Sequence, residues 1–168
     1  MTLKPQSMPS IAGVDEVGRG ALFGPVVAAA VLLSPEAERE LAQLGVKDSK
    51  KLSAQRRSYL VQCINSRAIN CQIGVASVEE IDRLNILQAS LLAMQRAILL
   101  LDPQPDRCLI DGNQAVPELP MAQETIVGGD GKSIAIAAAS IVAKVWRDRV
   151  IVELADCYPQ YDLAQNKG

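Results

Sequence analysis

Asp15-Glu16-Val17-Gly18-Arg19-Gly20 stands between two apolar runs, Ile11-Ala12-Gly13-Val14 before it and Val26 to Leu33 after it. The first run reads as a strand over Ile11–Asp15. The second reads as a strand over Pro25–Leu33, apolar on both faces and therefore central in a sheet. Two adjacent carboxylates at the end of a buried strand are costly to desolvate unless a cation meets them. A hard divalent ion is the natural partner for carboxylate oxygens. Gly18-Arg19-Gly20 adds exposed backbone amides and one guanidinium fork beside that ion. Together these features outline one half of a site for a phosphodiester.

Working outward, Pro35–Leu44 reads as a short helix closed by Gly45, and Ser53 as the N-cap of a helix reaching Arg67. Asn70–Ala76 is a third strand, with Cys71, Ile73 and Val75 alternating. Leu84, Leu87, Leu91, Met94, Ile98 and Leu101 recur in steps of three and four, which predicts a core-packing helix ended by Asp102-Pro103. Short strands follow at Arg107–Ile110 and Glu124–Val127. A helix from Ser133 to about Ala155 is lined with small residues that permit close packing. Three early strands followed by β/α alternation predict one α/β domain, with a mixed central sheet flanked by helices.

Bulk properties agree with one globular domain. The chain has 168 residues, 49% of them apolar and 21% charged. Its formal net charge is −2, so any affinity for nucleic acid must come from local charge. Five basic residues against one acid between Lys47 and Arg57 could supply such a patch, although for a charge run taken alone a solvated helix start is the favoured reading. There is no histidine, and the four cysteines form no C-x-x-C pair, which argues against a Cys/His zinc site and a histidine base. Scattered cysteines, a polar N-terminal segment over residues 1–10, and no apolar run long enough to span a bilayer predict a soluble cytoplasmic protein. Residues 1–10 are expected to be flexible.

Three acidic spots share one placement. Asp15-Glu16, Asp111-Gly112 and Gly129-Asp130 each follow an apolar run and adjoin a glycine or lie near one. Ligand sites in α/β sheets gather at strand ends, and two divalent ions held by four carboxylates suit phosphoryl displacement without histidine. Plainer readings exist for each. Asp15 and Glu16 point to opposite sides of a strand unless it ends or bulges there. Asp111-Gly112-Asn113 is an ordinary turn sequence, and Asp130 suits a helix cap. Two other patterns fail. Gly131-Lys132-Ser133 would need glycine where Ile126 stands to complete a P-loop, and Gly18-Arg19-Gly20 would need one at Phe23 to open a dinucleotide fold.

The run from Ile11 to Pro25, IAGVDEVGRGALFGP, resembles the N-terminal signature of bacterial ribonuclease HII, the type 2 ribonuclease H. Asp48-Ser-Lys-Lys-Leu52, Glu80-Ile-Asp-Arg-Leu-Asn-Ile-Leu87, Leu109-Ile-Asp-Gly-Asn113 and Ala138-Ala-Ser-Ile-Val-Ala-Lys144 follow in family order. The related HIII enzymes are less similar, having lysine where Arg19 stands and a further N-terminal domain. The resemblance implies an RNase H-like fold over residues 11–168. It implies a Mn²⁺- or Mg²⁺-dependent endonuclease that cuts the RNA strand of RNA–DNA hybrids. The same enzyme would nick 5′ of ribonucleotides in duplex DNA, leaving a 5′-phosphate and a 3′-hydroxyl. It further implies metal ligation by Asp15, Glu16 and Asp111, with Asp130 as the fourth acid. Gly18, Arg19 and Gly20 would read the ribose 2′-hydroxyl, and Ser49, Lys50 and Lys144 would contact phosphates. Asp148 reads as structural.

The implied partners are hybrids and ribonucleotide-containing duplexes, bound by a monomer away from membranes. Family members continue past the equivalent of Gly168 with a tyrosine that packs beside the junction, then further helices and a His/Arg-rich segment. The expectation is therefore a chain lacking the C-terminal part of the family domain. The competing readings are a module that binds metal or hybrid without turnover, and another RNase H-like nuclease such as a junction resolvase.

Overall fold

The computed structural model of the chain describes residues 8–21, 23–47 and 49–161. Most of the N-terminal segment, Leu22 and Asp48 of the quoted motifs, and residues 162–168 lie outside the described residues. Ser10, just before the first strand, is tied down: its amide donates to Asp106 at 2.7 Å, and its carbonyl accepts from the amides of Asp106 and Arg107.

The second apolar run forms strand β2 (Val26–Leu33), and its residues are buried along the whole length. Alternate residues serve two different cores. Val26, Ala28, Ala30 and Leu32 face one apolar cluster, while Val27, Ala29, Val31 and Leu33 face the other. Burying a valine or leucine stabilises by about 1.5–3 kcal/mol, so a strand apolar on both faces is driven to the middle of a layered fold. β2 pairs antiparallel with β1 (Ile11–Val17) on one side and with β3 (Asn70–Ala76) on the other. β1 then pairs in parallel with β4 (Arg107–Asp111), and β4 in parallel with β5 (Ala122–Ile126). The sheet order is β3-β2-β1-β4-β5, the mixed sheet the sequence predicts.

Helices α1 (Pro35–Gln43), α2 (Ala54–Arg67) and α5 (Ile134–Cys157) cover one face of the sheet. Each starts at a serine whose hydroxyl accepts a backbone N–H two or three residues inside the helix: Ser34, Ser53 and Ser133. α5 lies close against the sheet because its buried residues near the N-terminal end are mostly alanine and its partner on β1 is Gly13. Helices α3 (Val78–Leu84) and α4 (Ile86–Leu99) belong to the other face, where α4 supplies most of the packing.

The apolar stripe predicted as one helix is therefore two. Asn85, at φ +81°, ends α3 and caps α4 by accepting from the amide of Gln88 at 3.0 Å. Leu84 falls on the first helix, and Leu101 is buried just past the end of the second. Other differences are at element ends: β1 runs two residues further than predicted, β5 starts and ends earlier, and α5 reaches Cys157. No helix among the described residues is long and apolar enough to cross a membrane.

Candidate active site

The parallel pairing of β1 with β4 stops at Val14 and Ile110, while β1 stays paired with β2 through Val17 and β4 stays paired with β5 through Asp111. A crevice thus opens between the carboxyl ends of two adjacent parallel strands, where α/β sheets present their ligand sites. Asp15, Glu16 and Asp111 stand at that opening. Each offers a carboxylate oxygen, and these oxygens lie within 4.8 Å of one another.

The strand neither ends nor bulges at Asp15, and the alternation of faces is kept. Asp15 is on the α5 side, in the cleft with Ser140, while Glu16 lines a recess with Leu87, Leu91 and Met94 of α4. They meet Asp111 because β4 no longer blocks the gap. The expectation that a shared site requires a strand end or a bulge is corrected: the loss of one neighbouring strand is enough.

The local hydrogen bonds hold this arrangement. Asp15, only 6% exposed, accepts from the Glu16 amide at 2.8 Å. Asp111 accepts from the Gly129 amide at 2.7 Å, which docks the turn Gly129–Gly131 and its Asp130 against the strand end. The cap of α5 is Ser133, so capping that helix does not account for Asp130. Burial, then repulsion from Glu16 and Asp111, pushes the Asp15 carboxyl well above the usual range. Burial and the Asp111 charge raise Glu16 as well, offset in part by Arg19. Such a set, made only of hard oxygens and crowded with like charge, fits a divalent cation.

The crevice is a cleft of about 420 Å³. Of the residues singled out in the sequence, it brings together the three carboxylates, Asp130, Ser49, Lys50 and Lys144. Asp130 shares the cleft but is not one of the three clustered carboxylates. Arg19 is on a neighbouring recess of about 100 Å³ that Glu16 and Asp111 also line. Neither Gly18 nor Gly20 is among the described residues that line these two cavities, and a Cβ added at Gly20 would meet no described residue within 4 Å.

Two further residues line the cleft: Arg57, which the sequence marks only as part of the basic run, and Ser140, to which the sequence assigns no role. Ser140 shares a 2.8 Å hydroxyl contact with Ser49. Arg57 donates to the carbonyls of Ser49 and Leu52, so it braces the turn that carries Lys50. Asp148 holds the cations in place: its carboxylate is 3.1 Å from Lys144 Nζ and 3.9 Å from Arg57 Nη2. Arg57 belongs to the basic run and Ser140 precedes Lys144 by one helical turn, which are the signals that point to them.

A five-stranded mixed sheet, with helices on both faces and acids at the ends of its adjacent parallel strands, is an RNase H-like fold. Among solved structures, that of ribonuclease H2 from Pyrococcus horikoshii superposes with a TM-score of 0.78 at 28% identity, covering 89% of this chain and 77% of that one. The family model for ribonuclease HII matches residues 12–168. The ribonuclease HII of Trichodesmium erythraeum is 63% identical over 157 residues, 94% of this chain and 74% of its own length. That of Acaryochloris marina is also 63% identical, over 94% of this chain and 80% of its own. The chain belongs to the ribonuclease HII family. It is a ribonuclease H, an endonuclease of RNA–DNA hybrids.

Proposed function

We propose that the chain is a Mn²⁺- or Mg²⁺-dependent endonuclease that cuts the RNA strand of hybrids and also nicks 5′ of single ribonucleotides in duplex DNA. The products are a 5′-phosphate and a 3′-hydroxyl. The observation that carries this reading is the convergence of Asp15, Glu16 and Asp111 at the open end of β1 and β4, beside Ser49, Lys50 and Lys144. Asp15, Glu16 and Asp111 would hold the metal, with Asp130 as the fourth carboxylate of the cleft. When bound there, divalent metal supplies positive charge to the scissile phosphate and activates the attacking water.

The rest of the chemistry belongs to the chain. Lys50 and Lys144 bind flanking phosphates, and the Asp148 contact keeps Lys144 from wandering over the cleft. Ser49, fixed by Ser140 and by Arg57 on its carbonyl, offers a hydroxyl to a phosphate oxygen. Gly18, Arg19 and Gly20 read the 2′-hydroxyl, the group that separates RNA from DNA. Gly20 supports this role, because the described protein around it leaves room for a side chain that is not there. Open space next to a bare backbone suits the close approach of a sugar.

The test is a nicking assay on a duplex with one ribonucleotide. Asp15→Asn and Asp111→Asn should each lower the rate by more than the roughly 10–100-fold typical of outer-shell metal partners. Nicking that survives both changes, or that persists in EDTA, refutes the reading. Arg19→Ala should slow cleavage at single ribonucleotides, and an unchanged rate overturns the junction-reading role.

A further inference from the structure

Arg147 is 1% exposed, yet it is a full charge on a helix whose other buried residues are all alanine, isoleucine or valine. Its place on α5 is informative. Ser140, Lys144, Arg147 and Ile151 are spaced by four, three and four residues, so they share one helical face. Ser140 meets Asp15, Lys144 lines the cleft, and Arg147 lies beyond the end of β1, under the segment that leaves the sheet.

Its guanidinium donates from Nε to the Pro25 carbonyl at 3.0 Å and from Nη2 to the Phe23 carbonyl at 2.6 Å. The same group sits against the start of the segment. A side chain on Gly18 would be 2.4 Å from Arg147 Nε and 2.7 Å from the Pro25 carbonyl oxygen, and Gly18 is at φ +97°. The backbone at Gly18 and at Phe23–Pro25 thus lies around one planar fork. Carbonyls turned inward need donors, and a guanidinium serves two at fixed angles where an ammonium is a single compact charge. With the backbone held from inside, the Arg19 side chain is exposed on the outer surface next to Glu16.

The geometry points to Arg147 as a positioning residue: it fixes the backbone at Gly18 and at Phe23–Pro25, on either side of Arg19 and Gly20, and thereby sets where Arg19 meets the ribose. This rests on the junction-reading role given above to Gly18-Arg19-Gly20. Arg147 itself touches neither substrate nor metal. It couples the substrate-reading turn to the helix that carries Ser140 and Lys144, so the two halves of the site keep one spacing.

The experiment compares Arg147→Met and Arg147→Lys with the parent chain by two readouts. Hydrogen exchange should accelerate about tenfold or more in Arg147→Met at the Ala21 amide, which donates to the Gly18 carbonyl at 3.3 Å, while β1 and α5 stay protected. Cleavage at a single ribonucleotide should fall about tenfold further than cleavage of an uninterrupted hybrid, a difference of about 1.4 kcal/mol in transition-state binding. Arg147→Lys, which keeps charge and bulk, should recover part of both. Should Arg147→Met fail to fold, Arg147→Lys carries the same two comparisons against the parent. Unchanged turn exchange, or equal losses on the two substrates, overturns the proposal. A parent chain that cuts neither substrate refutes the endonuclease reading instead, and the exchange data then decide the Arg147 clamp alone.

Discussion

At the scale of single residues, Gly13 shows how tightly the site is built. A Cβ added there would come within 2.0 Å of the Ala135 carbonyl carbon and 2.3 Å of the Ile136 amide. These are backbone atoms, so no rotamer change relieves the clash, and α5 would have to lift from β1. Gly13→Ala should therefore destabilise by about 3 kcal/mol or more, the upper end of overpacking costs. Urea denaturation measures it, and a loss under about 1 kcal/mol would mean that α5 shifts freely on the sheet. Because α5 also carries Ser140 and Lys144, the variant should lose activity before it loses its fold. The acids were legible as residues, since paired carboxylates after an apolar run need a reason. How Asp15 and Glu16 serve one site from opposite faces was not, because it depends on where β4 stops pairing. Arg57 and Arg147 were not legible in their present roles either. The carbonyls that Arg147 holds are more than 120 residues away in sequence.

At the scale of elements, β3 was readable to the residue, because alternation and flanking polar residues agree with burial on a sheet face. The Ser53 cap located the start of α2 equally well. The break at Asn85 was hidden, since the apolar spacing runs straight through it and a positive φ at asparagine leaves no periodic mark. What holds the broken pair together is Glu80. Its carboxylate accepts from the Ser77 amide at 2.9 Å, closing a capping box on α3, and takes both Arg96 nitrogens at 2.8 and 2.6 Å. Arg96 also donates to the Val75 carbonyl, so α3, α4 and β3 share this group. The Arg96 hydrogen bonds and the Ser77 amide pull the Glu80 carboxyl from its ordinary 4.5 down to about 2. A carboxylate lowered on folding stabilises the protein above its unfolded value and loses that contribution as pH falls through its folded value. Glu80→Gln keeps the capping hydrogen bond but not the charge. Its melting temperature should lie below the parent's at pH 7, with the gap closing between about pH 4.5 and 2. A gap that stays constant from pH 6 to pH 3 would show that the charge contributes nothing.

At the scale of the whole molecule, the puzzle is a chain of net charge −2 that acts on a polyanion. The cleft sharpens it. Asp15, Glu16, Asp111 and Asp130 line the same space as Lys50, Arg57 and Lys144, and two of those cations face Asp148. Within the cleft the acids outnumber these cations, and they repel phosphate at close range. Affinity for a hybrid must then be created by the ion that neutralises the acids, so metal should govern binding as well as chemistry. Fluorescence anisotropy with a labelled RNA–DNA hybrid tests this at fixed ionic strength, in EDTA and then in Ca²⁺, another hard oxygen-seeking ion. Each sample is checked afterwards for intact hybrid. Binding should tighten by about tenfold or more when the ion is added, a gain of about 1.4 kcal/mol. Asp111→Asn should lose most of that gain, yet it should bind at least as well as the parent in EDTA, because one repelling charge is gone. Equal affinity with and without the ion would place hybrid binding on some other surface of the molecule and leave the cleft with chemistry alone.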